Sequence, residues 1–364
     1  MDHAQRGRTA DVVVIGAGQA GLSAAYHLQR TGTDHLVLDA NPAPGGAWQH
    51  RWPSLTMATV NGIRELPGLP RPETLDTERE RRASEVIPAY FAEYEEHFQL
   101  AVDRPVQVQR VESSDAGFTV HTGTVTSTST VTSTSTVTAR GLINATGTWD
   151  KPFWPWVPGR ERFRGTQLHT HDYPGPVPFA GRRVLVVGGG ISALQALMEL
   201  GPLAEQVFWV TRREPVFVER EFTPELGRAA VAMVIERVEA GLPPLSVVSV
   251  TGLGLNDDVR RAQAAGYLDR RPMFTELTES GARWADGTEV EADTVLWATG
   301  FRAALEHLAP LHLRGPGGGI VMDGTRVVAQ PRLHLVGYGP SASTIGANRA
   351  GRTAVAELRR LLEL

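Results

Sequence analysis

Two stretches of this chain each dictate a parallel sheet with a nucleotide at its edge. The first is DVVVIGAGQAG, Asp11 to Gly21: a β-branched run followed by glycines in GxGxxG spacing. It opens LSAAYHLQRTG, where Leu22, Ala25, Tyr26 and Leu28 share one helical face and Gly32 stops the helix. HLVLDA (35–40) follows as a second strand, and its carboxylate Asp39 stands 18 residues beyond Gly21. In such a unit Gly16 makes the tight turn, Gly18 lets the backbone approach a diphosphate, and Gly21 lets helix and strand pack closely. The helix N-terminus supplies partial positive charge, and Asp39 accepts hydrogen bonds from a ribose diol.

The second stretch is RRVLVVGGGISALQALMEL, followed by QVFWVTRR. Gly188, Gly190 and Ala193 give the GxGxxA form, with Ser192 in the first helical turn. Arg212 and Arg213 stand where the first unit has Asp39. A carboxylate there repels a 2′-phosphate, whereas a guanidinium grips it with charge-assisted hydrogen bonds, which favours NADPH over NADH. An acid in one unit and arginines in the other imply two different cofactors: FAD in the first and NADPH in the second, since flavin accepts a hydride from nicotinamide.

The chain has 364 residues, enough for two or three domains, and a net charge of -4, which lacks the basic footprint of a nucleic-acid binder. There is no cysteine, so disulfides, thiolate metal sites and dithiol redox chemistry are excluded, and no metal is expected. No run approaches the ~18 apolar residues of a membrane span, and the apolar run before Gly16 is too short for a signal peptide. A soluble cytoplasmic protein is expected. Residues 41–75 are irregular and rich in Pro and Gly; a helix capped by Ser84 follows, then the hairpin RPVQVQRV and GFTVHT. VTSTSTVTSTSTVT (125–138) reads as an expanded surface hairpin without chemistry. Residues 214–280 are poorly periodic, and the C-terminal helix turns Val355, Leu358 and Leu362 inward. The fold class is α/β with two Rossmann-like units. The NADPH unit (151–289) is expected to be inserted between the two parts of the FAD unit (1–150 and 290–364).

Just before the second glycine loop lies FRGTQLHTHDY, in which Phe163, Gly165, His169 and Tyr173 match FxGxxxHxxx(Y/F) at every fixed position. This fingerprint resembles that of the flavin-containing monooxygenases; Baeyer–Villiger monooxygenases end theirs in Trp. GGAW (45–48), NGIREL (61–66), LINATG (142–147) and VLWATGF (295–301) resemble further segments of the same family, and the likeness, closest to its short bacterial members, covers nearly the whole chain. The other branch with two such units, the disulfide reductases, needs a cysteine pair that this chain lacks.

The resemblance implies an NADPH- and oxygen-consuming enzyme in which reduced FAD forms a C4a-hydroperoxide. That adduct passes one oxygen to a small-molecule sulfide or amine, with weak Baeyer–Villiger activity on ketones. By the same resemblance Asn61 is the active-site amide, and Gln19, Ala20, Gly46, Trp48, Thr146 and Gly147 contact FAD. The Val106 backbone then reaches the adenine and Ile345 the flavin ring. By the resemblance the fingerprint couples the two domains, and no C-terminal membrane anchor such as animal members carry is expected. Two alternatives stay open: a flavin NAD(P)H oxidase or reductase that releases hydrogen peroxide, and a non-enzymatic nucleotide sensor. NADH is a second candidate coenzyme, and a homodimer the default assembly.

Overall fold

The computed structural model describes residues 7–60, 63–125, 131–219, 224–244, 252–342 and 344–364. β1 (Arg8–Ile15) is buried from Val12 onward, as a central strand flanked on both faces must be. α1 (Gln19–Arg30) leads to β2 (His35–Leu38), which pairs with β1 in parallel from Val12↔His35 to Ile15↔Leu38. The sequence predicts an amphipathic α1, yet it is buried nearly all round. The cause is the C-terminal helix (Thr344–Leu362), which covers its outer face. Ser23 Oγ donates to the Asn348 carbonyl at 3.0 Å, and Val355, Leu358 and Leu362 are buried as expected.

α2 (Ala83–Phe98) buries Ile87, Phe91 and Tyr94 and starts at Arg82 without a side-chain cap, two residues before the expected Ser84. β3 (Val102–Asp103) extends the sheet beside β2. β4 (Val106–Ser114), β5 (Gly117–Val125) and β6 (Val131–Asn144) form an antiparallel meander. The Ser/Thr repeat from 131 onward is the outer half of β6; residues 126–130 lie outside the described ones. The inner half of β6 turns apolar and runs parallel to β1, Asn144 opposite Ile15.

β7 (Thr166–His169), β8 (Arg183–Val187), α3 (Ile191–Leu200), β9 (Gln206–Thr211), β10 (Arg270–Pro272) and β11 (Thr294–Trp297) make the second unit. Its sheet is all parallel in the order β10-β9-β8-β11-β7. β12 (Gln330–Leu335) then returns to the first sheet beside β6, giving the order β12-β6-β1-β2-β3.

One expectation needs correcting. VLWATGF falls in a segment, 290 onward, expected to belong to the FAD unit; β11 instead pairs with β8 and β7. LINATG and VLWATGF look alike because each ends beside its own glycine loop. Ala145 N donates to the Ile15 carbonyl at 2.7 Å, and Ala298 N to the Val187 carbonyl at 2.9 Å. β11 thus belongs to the second sheet, all of whose strands fall between β6 and β12 in the chain. Its entering and leaving segments pair antiparallel: Phe153 N donates to Gly300 O at 2.9 Å, Arg302 N to Lys151 O at 2.8 Å, and Ala304 N to Gly147 O at 3.0 Å.

Candidate functional site

The first glycine loop is shaped by contacts that only hydrogen at Cα permits. Gly16 has φ +96°, and a Cβ there would meet Ala145 O at 2.7 Å; one on Gly21 would lie 1.8 Å from Gly16 O. Gly18 has open space instead, as a residue facing a ligand should. Gly18 N-caps α1 with no side-chain acceptor, so the positive end of the helix faces the cavity wall without a capping side chain in front of it.

Asp39 is 2% exposed. It accepts from Ala17 N at 2.9 Å and from both Asn41 N and Asn41 Nδ2 at 2.8 Å, so it pins its own loop. A carboxylate offers about four acceptor sites, so one stays available to a ribose hydroxyl. Arg104, which nothing in the local sequence marks, holds Glu95 through two hydrogen bonds of 2.7 Å and stands 3.8 Å from Asp39.

These groups open onto one cavity of about 710 Å³. It is lined by all the residues expected at FAD except Gly21, which packs beneath the loop, and Ile345, whose side chain is outside the described set. Gly46 seats against Gly18, where a Cβ would be 2.8 Å from the Gly18 Cα. Asn61 lies outside the described residues. Among the cavity residues that sequence reasoning did not name as site residues are Arg51, Trp149 and His307, which carry no spacing signal of their own.

The Arg51 guanidinium lies between two indoles, 5.1 Å from Trp48 and 4.6 Å from Trp149. Burial pushes its pKa down to about 10, and its Nε has no hydrogen-bond partner among the described residues. A half-buried cation with an unpartnered Nε, beside a helix N-terminus without a side-chain cap, fits the diphosphate of a dinucleotide.

The second glycine loop repeats the design with one difference. Gly188 has φ +154°, and a Cβ on it would meet Ala298 O at 2.1 Å; Gly190 N-caps α3 with open space around it. Ala193, fully buried, replaces the third glycine. At the end of β9, Thr211 Oγ1 donates to Arg213 O at 2.7 Å and accepts from Arg270 Nε at 2.9 Å, while Arg270 Nη2 donates to Thr211 O at 3.2 Å. Arg270 therefore holds the turn on which Arg212 and Arg213 stand exposed, neither with an ion-pair partner among the described residues. None of these residues lines the FAD-type cavity.

The fingerprint sits at the junction of the units. Phe163 packs over Gly165, where a Cβ would be 2.5 Å from the ring. His169, fully buried at the end of β7, accepts from His171 N on Nδ1 at 3.0 Å, so Nε2 carries the proton and donates to Gly300 O at 3.0 Å. It fastens the returning segment. Tyr173 is 4% exposed. His307 Nε2 contacts Asn144 Oδ1 at 2.6 Å, and Asn144 in turn donates to Thr146.

Burial holds His169, His307 and His334 neutral, each pushed down to about 4. The unfolded value is about 6.5, so between the two the unfolded chain binds more protons and the fold loses stability as pH falls. The expected slope is about 1.4 kcal/mol per pH unit for each such histidine. Thermal unfolding between pH 7 and pH 4.5 measures it, and a flat midpoint would refute the neutral histidines.

A family model described as pyridine nucleotide-disulphide oxidoreductase matches residues 13–226. Among solved structures, a flavin-containing monooxygenase from Stenotrophomonas maltophilia is 37% identical with a TM-score of 0.80, covering 98% of this chain and 99% of that one. A ferredoxin–NADP reductase from Salinispora tropica is 31% identical, covering 90% of this chain and 85% of its own length. An indole-3-pyruvate monooxygenase from Oryza sativa subsp. japonica is 27% identical, covering 90% of this chain and 86% of its own length. Among the described residues no helix is long and apolar enough to cross a membrane, and no cluster of His, Asp or Glu is arranged to hold a metal.

Proposed function

The chain belongs to the pyridine nucleotide-disulphide oxidoreductase family, as a flavin-containing monooxygenase using FAD and NADP(H), and from that premise we propose that it oxygenates sulfides and amines of small molecules. The observation that carries the reading is the absence of cysteine: electrons that reach the flavin find no dithiol within the chain, which sets it apart from the disulfide reductases and puts the acceptor outside the protein. Tyr173 at the end of the fingerprint supports soft nucleophiles over ketones, with Baeyer–Villiger oxidation a weak side activity. Bound FAD would supply electron storage and oxygen activation. The balance is sulfide + O₂ + NADPH + H⁺ giving sulfoxide + H₂O + NADP⁺.

The chain's own residues bind, orient and exclude water. Gly16, Gly18, Gln19, Ala20, Gly21, Asp39, Gly46, Trp48, Val106, Thr146, Gly147 and Ile345 are assigned to FAD. Gly188, Gly190, Ser192, Ala193, Arg212 and Arg213 are assigned to NADPH, with NADH the weaker coenzyme. Asn61 is assigned to the reacting end, where an amide can hydrogen-bond without taking a proton. Segments 1–150 and 301–364 make the FAD unit and 151–300 the NADPH unit. The enzyme is assigned to the cytoplasm, with a homodimer as default.

The second reading is an NAD(P)H oxidase or reductase, favoured by the 31% identity to the Salinispora tropica ferredoxin–NADP reductase. Supplying purified protein with NADPH, oxygen and a small aryl methyl sulfide separates the two. Sulfoxide formed in near-equal amount to NADPH consumed supports the monooxygenase, whereas peroxide accounting for the NADPH overturns it.

A further inference from the structure

Three functional segments converge on one carboxylate. Trp52 Nε1 donates to Glu199 Oε1 at 3.2 Å, Ser54 Oγ to Oε2 at 2.6 Å, and Tyr173 OH to Oε2 at 3.2 Å. Glu199 is on α3, the helix that starts at the second glycine loop; Trp52 and Ser54 follow Arg51 of the FAD-type cavity, and Tyr173 closes the fingerprint.

Gln195, one helical turn before Glu199, donates to Thr59 O at 3.0 Å. The pair at i and i+4 thus forms a polar ridge that docks α3 on residues 52–59, opposite its apolar face on Ala193, Leu194 and Leu197. Residues 52–59 lead directly into Asn61. Burial, with the Glu199 charge beside it, pushes the Tyr173 hydroxyl up, so it remains a donor.

We propose that Glu199 is a positioning residue that docks the NADPH-binding helix on the FAD unit through Trp52 and Ser54, with Tyr173 of its own unit bracing the carboxylate, and so sets the geometry in which NADPH reduces the flavin. The step moves a hydride from nicotinamide to flavin, with a proton from solvent completing the reduced flavin. It rests on NADPH occupying the second glycine loop. A neutral surface hydrogen bond would not need three donors from two units on one carboxylate; a rigid register between two nucleotide sites does, because a displacement of about 1 Å can cost a hundredfold in rate.

Anaerobic mixing of holoprotein with NADPH, followed by the loss of oxidised-flavin absorbance, gives a limiting rate and an apparent Kd. Glu199→Ala is expected to lower the limiting rate roughly a hundredfold while Kd shifts by no more than about threefold, and Glu199→Gln falls between. Dithionite, which needs no docked nicotinamide, reduces all variants alike. Independently of turnover, hydrogen exchange in segments 51–55 and 171–175 rises in Glu199→Ala while β1 and β8 keep their protection. Should that variant fail to fold, Ser54→Ala and Trp52→Phe each remove one donor and are read the same way. Wild-type limiting rates with unchanged exchange overturn the proposal, and so does a change confined to Kd. A wild-type holoprotein reduced by dithionite but not by NADPH overturns the assignment of NADPH to the second loop, and the proposal with it.

Discussion

Gly21→Ala is expected to yield a protein that purifies without FAD and melts well below the wild type. The added methyl would lie 1.8 Å from the Gly16 carbonyl oxygen, a backbone atom that cannot swing aside. α1 cannot retreat either, because the C-terminal helix presses on its outer face: a Cβ on Gly351 would already be 2.7 Å from Ser23 Oγ. Relieving the clash therefore shifts the helix N-terminus and the turn that faces the diphosphate. The second unit supplies the control, since Ala193 sits fully buried at the same place in its loop. Ala193→Gly should cost the helical penalty of glycine, about 1 kcal/mol, plus the loss of one buried methyl, about 0.8 kcal/mol, without disturbing the turn. The flavin-to-protein absorbance ratio measures the first outcome. A full complement of FAD in Gly21→Ala would show that β1 and α1 are not held at this closest approach.

Arg212→Ala is expected to raise KM for NADPH and leave KM for NADH nearly unchanged. Loss of a charge-assisted hydrogen bond costs about 1.5–3 kcal/mol, roughly ten- to a hundredfold in affinity. The guanidinium stands exposed with no ion-pair partner among the described residues, so its removal breaks nothing in the fold. Steady-state kinetics with both coenzymes reads the difference directly. Equal effects on the two would assign the 2′-phosphate to Arg213 or elsewhere.

What was legible in the sequence is what the backbone alone demands. Gly16, Gly18, Gly21 and Asp39 form one local device, and each is read from its spacing to the next. The fingerprint was legible as a pattern, but not its partners: Tyr173 and Ser54 meet on Glu199, separated from it by 26 and 145 residues. Arg270 braces Thr211 from 59 residues away, and nothing in the sequence around Arg51 tells that its guanidinium reaches both Trp48 and Trp149. The misplaced boundary at 290 has the same origin. Strand chemistry tells that VLWATG ends beside a glycine loop, but not beside which of two; only the pairing of β11 with β8 decides it.

The paired segments at 147–153 and 300–304 have a consequence for how such a chain changes over time. It leaves the first sheet and returns within one hydrogen bond, Arg302 N to Lys151 O at 2.8 Å. All five strands of the second sheet lie between those residues, so the two ends of that sheet's chain share a single doorway. The stretch between them can lengthen, shorten or be exchanged for another coenzyme reader without re-routing any strand of the flavin sheet. The same doorway ties entry to exit: 147–153 and 300–304 are hydrogen-bonded to each other, so neither can shift without carrying the other.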